Sequence, residues 1–210
     1  MISLAFAMCI SYKVSMKVPA LITALCLVLC LTACSNQEAP TTSVVPDTEQ
    51  SQSSEAGTAG VLSQFTGQNL QGESVDQEIL QGHKLTMVNV WATFCTPCIN
   101  EMPDLGELSQ EYSDKGFQII GMVSDAMASD GSIDQDQVTL AQEIVDSTSA
   151  NYTHIIPGED LYSLLYQITS VPTTFFVDEN GNQVGNAYVG AKDKETWKGI
   201  IEQLLKEVAE

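Results

Sequence analysis

Leu85-Thr86-Met87-Val88-Asn89-Val90-Trp91 leads almost directly into Cys95-Thr96-Pro97-Cys98. The first stretch is a largely apolar run of strand length and reads as a buried strand. Beyond the second cysteine, Ile99, Met102, Leu105, Leu108 and Tyr112 recur at helical spacing. A strand, a short turn and a helix therefore meet at the cysteine pair. If Cys95 sits at the helix start, the helix dipole and the free N–H groups there stabilise its thiolate. That placement favours redox chemistry over structural cross-linking, because a two-residue loop constrains little of the unfolded chain.

The rest of the cysteine inventory strengthens this reading. Lys13 and Lys17 precede an apolar segment of 14 residues, Val18 to Leu31, which ends in Leu31-Thr32-Ala33-Cys34. A charged n-region, an apolar core and small residues describe a secretory signal peptide over 1–33. The segment is shorter than the ~20 residues a spanning helix needs, so an uncleaved anchor is the weaker alternative. The Leu-Thr-Ala-Cys ending resembles the bacterial lipobox, which implies lipidation of Cys34 and an extracytoplasmic body held at the cell membrane. Met16-Lys17 is an alternative start. Cys9, Cys26 and Cys30 fall in the signal segment, so only Cys95 and Cys98 remain in the exported body. One pair is no disulfide framework.

No acidic residue precedes Cys34, and the part that follows carries 27 acids against six lysines, a formal charge of −21, with no arginine. This excludes nucleic acid, whose phosphates need basic partners, and electrostatic docking on anionic lipid. Residues 34–60 after the lipid site are mostly Ser, Thr, Gln, Glu, Pro and Gly. They cannot bury enough surface to offset ordering entropy, and as a flexible stalk they would reach roughly 30 Å.

Residues 61–210 suffice for one domain. The pattern predicts an N-terminal β-hairpin from Phe65 to Ile79, the strand Leu85–Trp91, the cysteine helix, a second strand Phe117–Val123 and a polar insert, 124–135. A helix from Asp136 to about Ser147, a short strand Tyr152–Ile156 and a short helix Leu161–Tyr166 follow. Thr173–Val177 and Gln183–Val189 form a hairpin about Asn180-Gly181, and Trp197 to Val208 mark a closing amphipathic helix. This order implies an α/β fold, a mixed sheet with helices on both faces.

Trp91-Ala92-Thr93-Phe94-Cys95-Thr96-Pro97-Cys98, Pro103, Val171-Pro172-Thr173 and Gly190 together resemble a thioredoxin fold. Asn89, Glu101, the N-terminal hairpin and the insert after the second core strand resemble the TlpA/ResA-type thiol-disulfide oxidoreductases. The resemblance implies that Cys95 is the nucleophile, Cys98 the resolving thiol and Val171-Pro172 a cis-proline dipeptide whose backbone pairs with an extended client. Thioredoxins proper carry a buried aspartate six residues before the first cysteine, and here Asn89 stands there. An amide accepts no proton at neutral pH, so the resemblance passes proton transfer to Glu101, three residues after Cys98. Pro97 suits the first helical turn, Thr96 lies between the sulfurs, and Pro103 would kink the helix. Trp91 and Phe94 are expected to shape an apolar rim for clients, with core packing the competing role for Trp91.

Zinc is disfavoured, because a closed site needs four ligands and the body adds only His83 and His154, read as loop and core residues. Asp125, Asp130, Asp134 and Asp136 in and beside the insert lack EF-hand spacing and read as a solvated loop. The expected activity is that of a membrane-tethered reductase of exported disulfides, monomeric, with no cofactor beyond its own disulfide. The resemblance implies recharging by an integral membrane carrier of the CcdA/DsbD kind. It also implies clients such as apocytochrome c or a methionine sulfoxide reductase. A peroxiredoxin-like peroxidase is disfavoured because Pro-x-x-x-Thr-x-x-Cys is absent before Cys95. A non-catalytic binding lipoprotein on the same scaffold is the other alternative.

Overall fold

The computed structural model describes residues 60–128 and 130–209. The signal peptide, the lipid site at Cys34 and nearly all of the linker, expected over 1–60, lie outside the described residues. Among the described residues no helix is long and apolar enough to cross a membrane.

Among the described residues seven strands form one sheet in the order β2-β1-β5-β4-β3-β6-β7. Strand β1 (Thr66–Asn69) and β2 (Ser74–Asp76) make the N-terminal hairpin. Strands β3 (Leu85–Trp91) and β4 (Phe117–Val123) pair in parallel over seven residues each, and β4 pairs in parallel with β5 (Thr153–Pro157). Every residue of β3 is buried, as a strand covered on both faces requires. Strand β6 (Thr173–Val177) lies antiparallel to β3, and β7 (Gln183–Val189) closes that edge. Gly181 turns the last hairpin at φ 77°, and a Cβ there would lie 2.3 Å from the Leu62 backbone.

Helix α1 (Thr96–Tyr112) links β3 to β4, and α2 (Gln135–Thr148) links β4 to β5. Right-handed crossovers that advance in one direction place both helices on the same sheet face. Helix α4 (Lys194–Glu207) joins them, with Trp197, Ile201 and Leu204 packed among Leu105, Leu108 and Tyr112 of α1. The opposite face has lighter cover. There Val88, Val90, Ile120, Met122 and Phe175 meet Leu62, Phe65, Leu80 and Leu161, with Leu164 and Leu165 of the one-turn helix α3 (Tyr162–Leu165) against them. The third cluster sits under the cysteines and joins Trp91, Cys95, Cys98 and Met102 to Val123, Val138 and Ala141.

The predicted order of elements holds, with shifts of one residue at the ends of α2, β5 and α3. The second face is covered by the short helix expected near Leu161–Tyr166 and by further single turns. Pro103 lies inside α1.

Candidate active site

The chain leaves β3 at Trp91 and turns through Ala92, whose carbonyl accepts from the Cys95 N–H at 3.0 Å. Cys95 is the N-cap of α1, with Thr96 and Pro97 as its first two residues. Its Sγ accepts from the Cys98 N–H at 3.2 Å and is bonded to the Cys98 sulfur, with the Cα atoms 5.3 Å apart. Cysteine thus occupies the cap position that Ser or Asp commonly fills. Once reduced, its thiolate would face a free backbone donor and the positive end of the helix dipole. Cys95 retains 5% exposure and Cys98 none, while Phe94 stands 77% exposed beside them.

The approach to this turn is tied down by residues the motif does not include. The Asp125 carboxylate accepts from the Thr93 N–H at 2.9 and 3.1 Å and from its hydroxyl at 2.6 Å. Thr93 Oγ1 also lies 2.9 Å from Oε1 of Gln137 on α2. The solvated loop read from sequence therefore needs correcting at Asp125, which anchors the strand-to-cysteine turn. Asp134 caps α2, and Asp130 closes a local turn with Ser132. These are the short-range roles that aspartates favour.

The Val171–Pro172 peptide bond is cis, and the Pro172 carbonyl accepts from the Gly190 N–H at 2.8 Å. Val171 packs against both the cluster holding the cysteines and the cluster of the opposite face. It also borders a cleft of about 300 Å3 whose walls include Met127, Tyr162 and Tyr166. The rim role expected of Trp91 is corrected: the side chain has no exposure, and its ring meets His154 edge-on at 5.6 Å. Trp91 follows Asn89 by two positions in a strand buried on both faces, so it points beneath the helices rather than toward solvent.

Glu101 is 3% exposed, and three donors converge on it. Oε1 accepts from Asn89 Nδ2 at 2.9 Å, and Oε2 accepts from the Lys192 backbone N–H at 3.1 Å and the Trp197 indole N–H at 3.2 Å. Burial pushes its carboxyl above the usual carboxylate range, and the hydrogen bonds from Lys192, Asn89 and Trp197 pull against that rise without cancelling it. Asn89 also donates to Thr174 Oγ1 on β6 at 3.0 Å, and its own Oδ1 is buried without a partner. Sequence reasoning missed Trp197, Lys192 and Thr174. The first two lie beyond β7, and only Trp197's place on the apolar face of α4 signalled that it points inward.

Thr174, Asn89, Gly121 and His154 share one register row across four strands. Gly121 leaves room for the imidazole there, because a Cβ would stand 2.2 Å from His154 Nδ1. His154 donates from Nε2 to the Ala150 carbonyl at 3.1 Å, and burial pulls its imidazole down to about 4. It is a neutral core histidine. Among the described residues no group of three or more His, Cys, Asp or Glu side chains is placed to hold a metal ion.

The chain is similar to known proteins in sequence and in fold. The Redoxin family model matches residues 35–204. Thiol-disulfide oxidoreductase ResA of Bacillus anthracis is 27% identical over 141 residues, covering 67% of this chain and 74% of the relative. ResA of Halalkalibacterium halodurans is 28% identical over 146 residues, covering 70% and 72%. A solved thiol:disulfide interchange protein of the thioredoxin family from Chlorobium tepidum TLS superposes with a TM-score of 0.56 at 23% identity, over 68% of this chain and 93% of its own. The thioredoxin domain of a thiol-disulfide oxidoreductase from Bacteroides vulgatus gives 0.53 at 20% identity, over 70% and 96%. The solved structures establish the shared thioredoxin fold.

Proposed function

The chain belongs to the Redoxin family and is a TlpA/ResA-type thioredoxin-like protein, and from that premise we propose that it reduces disulfides in exported client proteins through Cys95 and Cys98. Thiol-disulfide oxidoreductase activity is what its ResA relatives carry. The observation that carries the reading here is the disulfide at the first turn of α1, with Cys95 as the cap and Cys98 buried beneath it.

In the reductive direction the Cys95 thiolate attacks one sulfur of the client disulfide and bonds to it, while the other client sulfur leaves as a thiolate and is protonated. Cys98 Sγ then attacks Cys95 Sγ, the mixed disulfide breaks and the second client sulfur departs. Two electrons pass from the dithiol to the client, and the protein is left as the disulfide. Glu101, one helical turn beyond Cys98, is the buried base that takes the Cys98 proton. Exposed Phe94, Thr96 and Pro97, with the Val171 backbone, meet the client around the cysteines. The cleft beside Val171 receives an apolar side chain of the client segment.

Lipidation of Cys34 would hold the domain at the extracytoplasmic face of the membrane on its linker. A membrane carrier of the CcdA/DsbD kind would return it to the dithiol. Exported clients of the apocytochrome c or methionine sulfoxide reductase kind fit this placement. The direction is tested by the reduction potential: a value near thioredoxin's, about −270 mV, supports the reductase, and one near the strong oxidants, about −120 mV, sinks it. Cys98→Ser should trap clients as mixed disulfides on Cys95. Metabolic labelling with palmitate, lost in Cys34→Ala, tests the anchor.

A further inference from the structure

The two carboxyl oxygens of Glu101 have partners of different kinds. Oε2 is held by the Lys192 backbone N–H and the Trp197 indole N–H, both donors only. A proton on Oε2 would face two other protons. Oε1 meets Asn89 Nδ2, and a side-chain amide is the one partner here that carries both a donor and an acceptor. The amide's NH2 group serves both Glu101 and Thr174 Oγ1, while its buried oxygen serves nothing. This arrangement suits the carboxylate, and the amide oxygen is an acceptor left unused while Glu101 is charged.

We propose that the transferred proton resides on Oε1 of Glu101, and that the Asn89 amide turns end for end as the proton arrives, with Thr174 reversing its hydrogen bond. The inference rests on the reading of Glu101 as the proton acceptor. In the charged state Asn89 donates to Oε1 and to Thr174 Oγ1. Once Oε1 carries a proton, Nδ2 would oppose it donor to donor. Rotation by half a turn about Cβ–Cγ puts Oδ1 in that place, where it accepts from the Glu101 hydroxyl and from the Thr174 hydroxyl. Thr174 can make either bond, because a hydroxyl both donates and accepts. The other charged or titratable groups that bear on Glu101 are the Lys192 ammonium and the Tyr152 phenol. Neither is hydrogen-bonded to it by its side chain.

The proton balance follows the resolving step. Cys98 Sγ–H gives its proton to Oε1 as the sulfur attacks Cys95 Sγ. The bond between Cys95 and the client sulfur breaks, and the departing client thiolate takes the proton back. The amide turns once in each direction per client reduced. A buried carboxyl is thus fully paired in both states without a second charge beside it, which an aspartate at position 89 would introduce.

The test is side-chain NMR of the full chain in detergent micelles, with 15N-labelled asparagine and 13C-labelled glutamate, together with the pH–rate profile of disulfide reduction. The Asn89 amide signals should move with the same midpoint as the Glu101 carboxyl carbon and stay flat in Glu101→Gln. The rate profile should keep its midpoint in Thr174→Ser and shift in Thr174→Val. Asn89 signals that stay flat while Glu101 titrates overturn the inference and leave the role of Glu101 intact. A Thr174→Val profile superimposed on the wild type overturns it as well. A Glu101→Gln variant with the wild-type rate profile overturns the proton role itself, and this inference with it.

Discussion

The indole N–H of Trp197 donates to Oε2 of Glu101 at 3.2 Å, joining residues 96 apart in sequence. Through this bond the closing helix reaches the carboxylate on the cysteine helix, so α4 both covers the sheet and steadies the candidate base. Trp197→Phe keeps an aromatic ring in the core but deletes the donor. The charged form of Glu101 loses a partner, so its titration should move upward, and the alkaline-favoured limb of the rate profile should move with it. Stability should fall by about 1–3 kcal/mol. A rate profile that keeps its midpoint despite the lost stability would make Trp197 a packing residue alone.

Tyr166 is 85% exposed at the cleft that Val171 borders. A large aromatic left in water on the cleft that Val171 borders suits a contact with client rather than with the fold. Tyr166→Ala should lower kcat/KM for a protein client about tenfold, equivalent to ~1.4 kcal/mol of lost contact. The rate with a small disulfide such as that of glutathione, and the reduction potential, should stay at wild-type values. Equal losses on both substrates would place Tyr166 in the redox centre instead of in client binding.

Asp125 fixes the backbone two residues before Cys95 by accepting from both the N–H and the hydroxyl of Thr93. Asp125→Ala leaves the Thr93 groups without that acceptor and should destabilise the domain by about 1–3 kcal/mol. Asp125→Asn retains an oxygen and should lose less. Urea unfolding with an unchanged m-value measures the difference. A stability in Asp125→Ala equal to wild type would show the tether to be dispensable.

The sequence disclosed most about elements whose signals are local. Leu85–Trp91 and Phe117–Val123 are apolar runs of strand length, and both strands begin and end where the pattern puts them. Cys95 and Cys98 announce themselves by spacing, and Asn180-Gly181 by turn chemistry. What stayed hidden depends on chain segments meeting in space. Asp125 resembles any acid of a polar loop until Thr93 is brought to it. Trp91 carries no mark of which side of the turn it lies on. Glu101 was legible as a residue of interest, yet its donors from Lys192 and Trp197 come from a loop and a helix that only the closed sheet delivers.

Gly121 and His154 fit each other so closely that a Cβ on the glycine would stand 2.2 Å from the imidazole Nδ1. Gly121→Ala forces the ring or the central strand to move, and overpacking of this sort costs about 1–3 kcal/mol. Replacing His154 with Ala in the same chain removes the obstacle. The double variant should therefore be less destabilised than the sum of the two singles. Strict additivity in chemical denaturation would contradict the fit.

His154 also sets a pH dependence whose sign can be worked out. Its imidazole titrates near 6.5 when unfolded and about 4 when buried. As the pH falls from 6.5 toward 4, the unfolded chain gains a proton there that the folded chain refuses, so stability declines. The full effect is roughly 3 kcal/mol for one group. Glu101 works the other way: its folded carboxyl keeps its proton above 4.5, so its burial lowers stability as the pH rises through that window. His154→Gln can still donate to the Ala150 carbonyl and carries no titrating group. Its stability, measured by urea unfolding, should therefore fall less between pH 7 and pH 4.5 than that of the wild type. In Glu101→Gln the stability should instead fall less than in wild type as the pH rises from 4.5 to 7. Parallel pH curves for wild type and His154→Gln would mean that residue 154 is not held neutral by the fold.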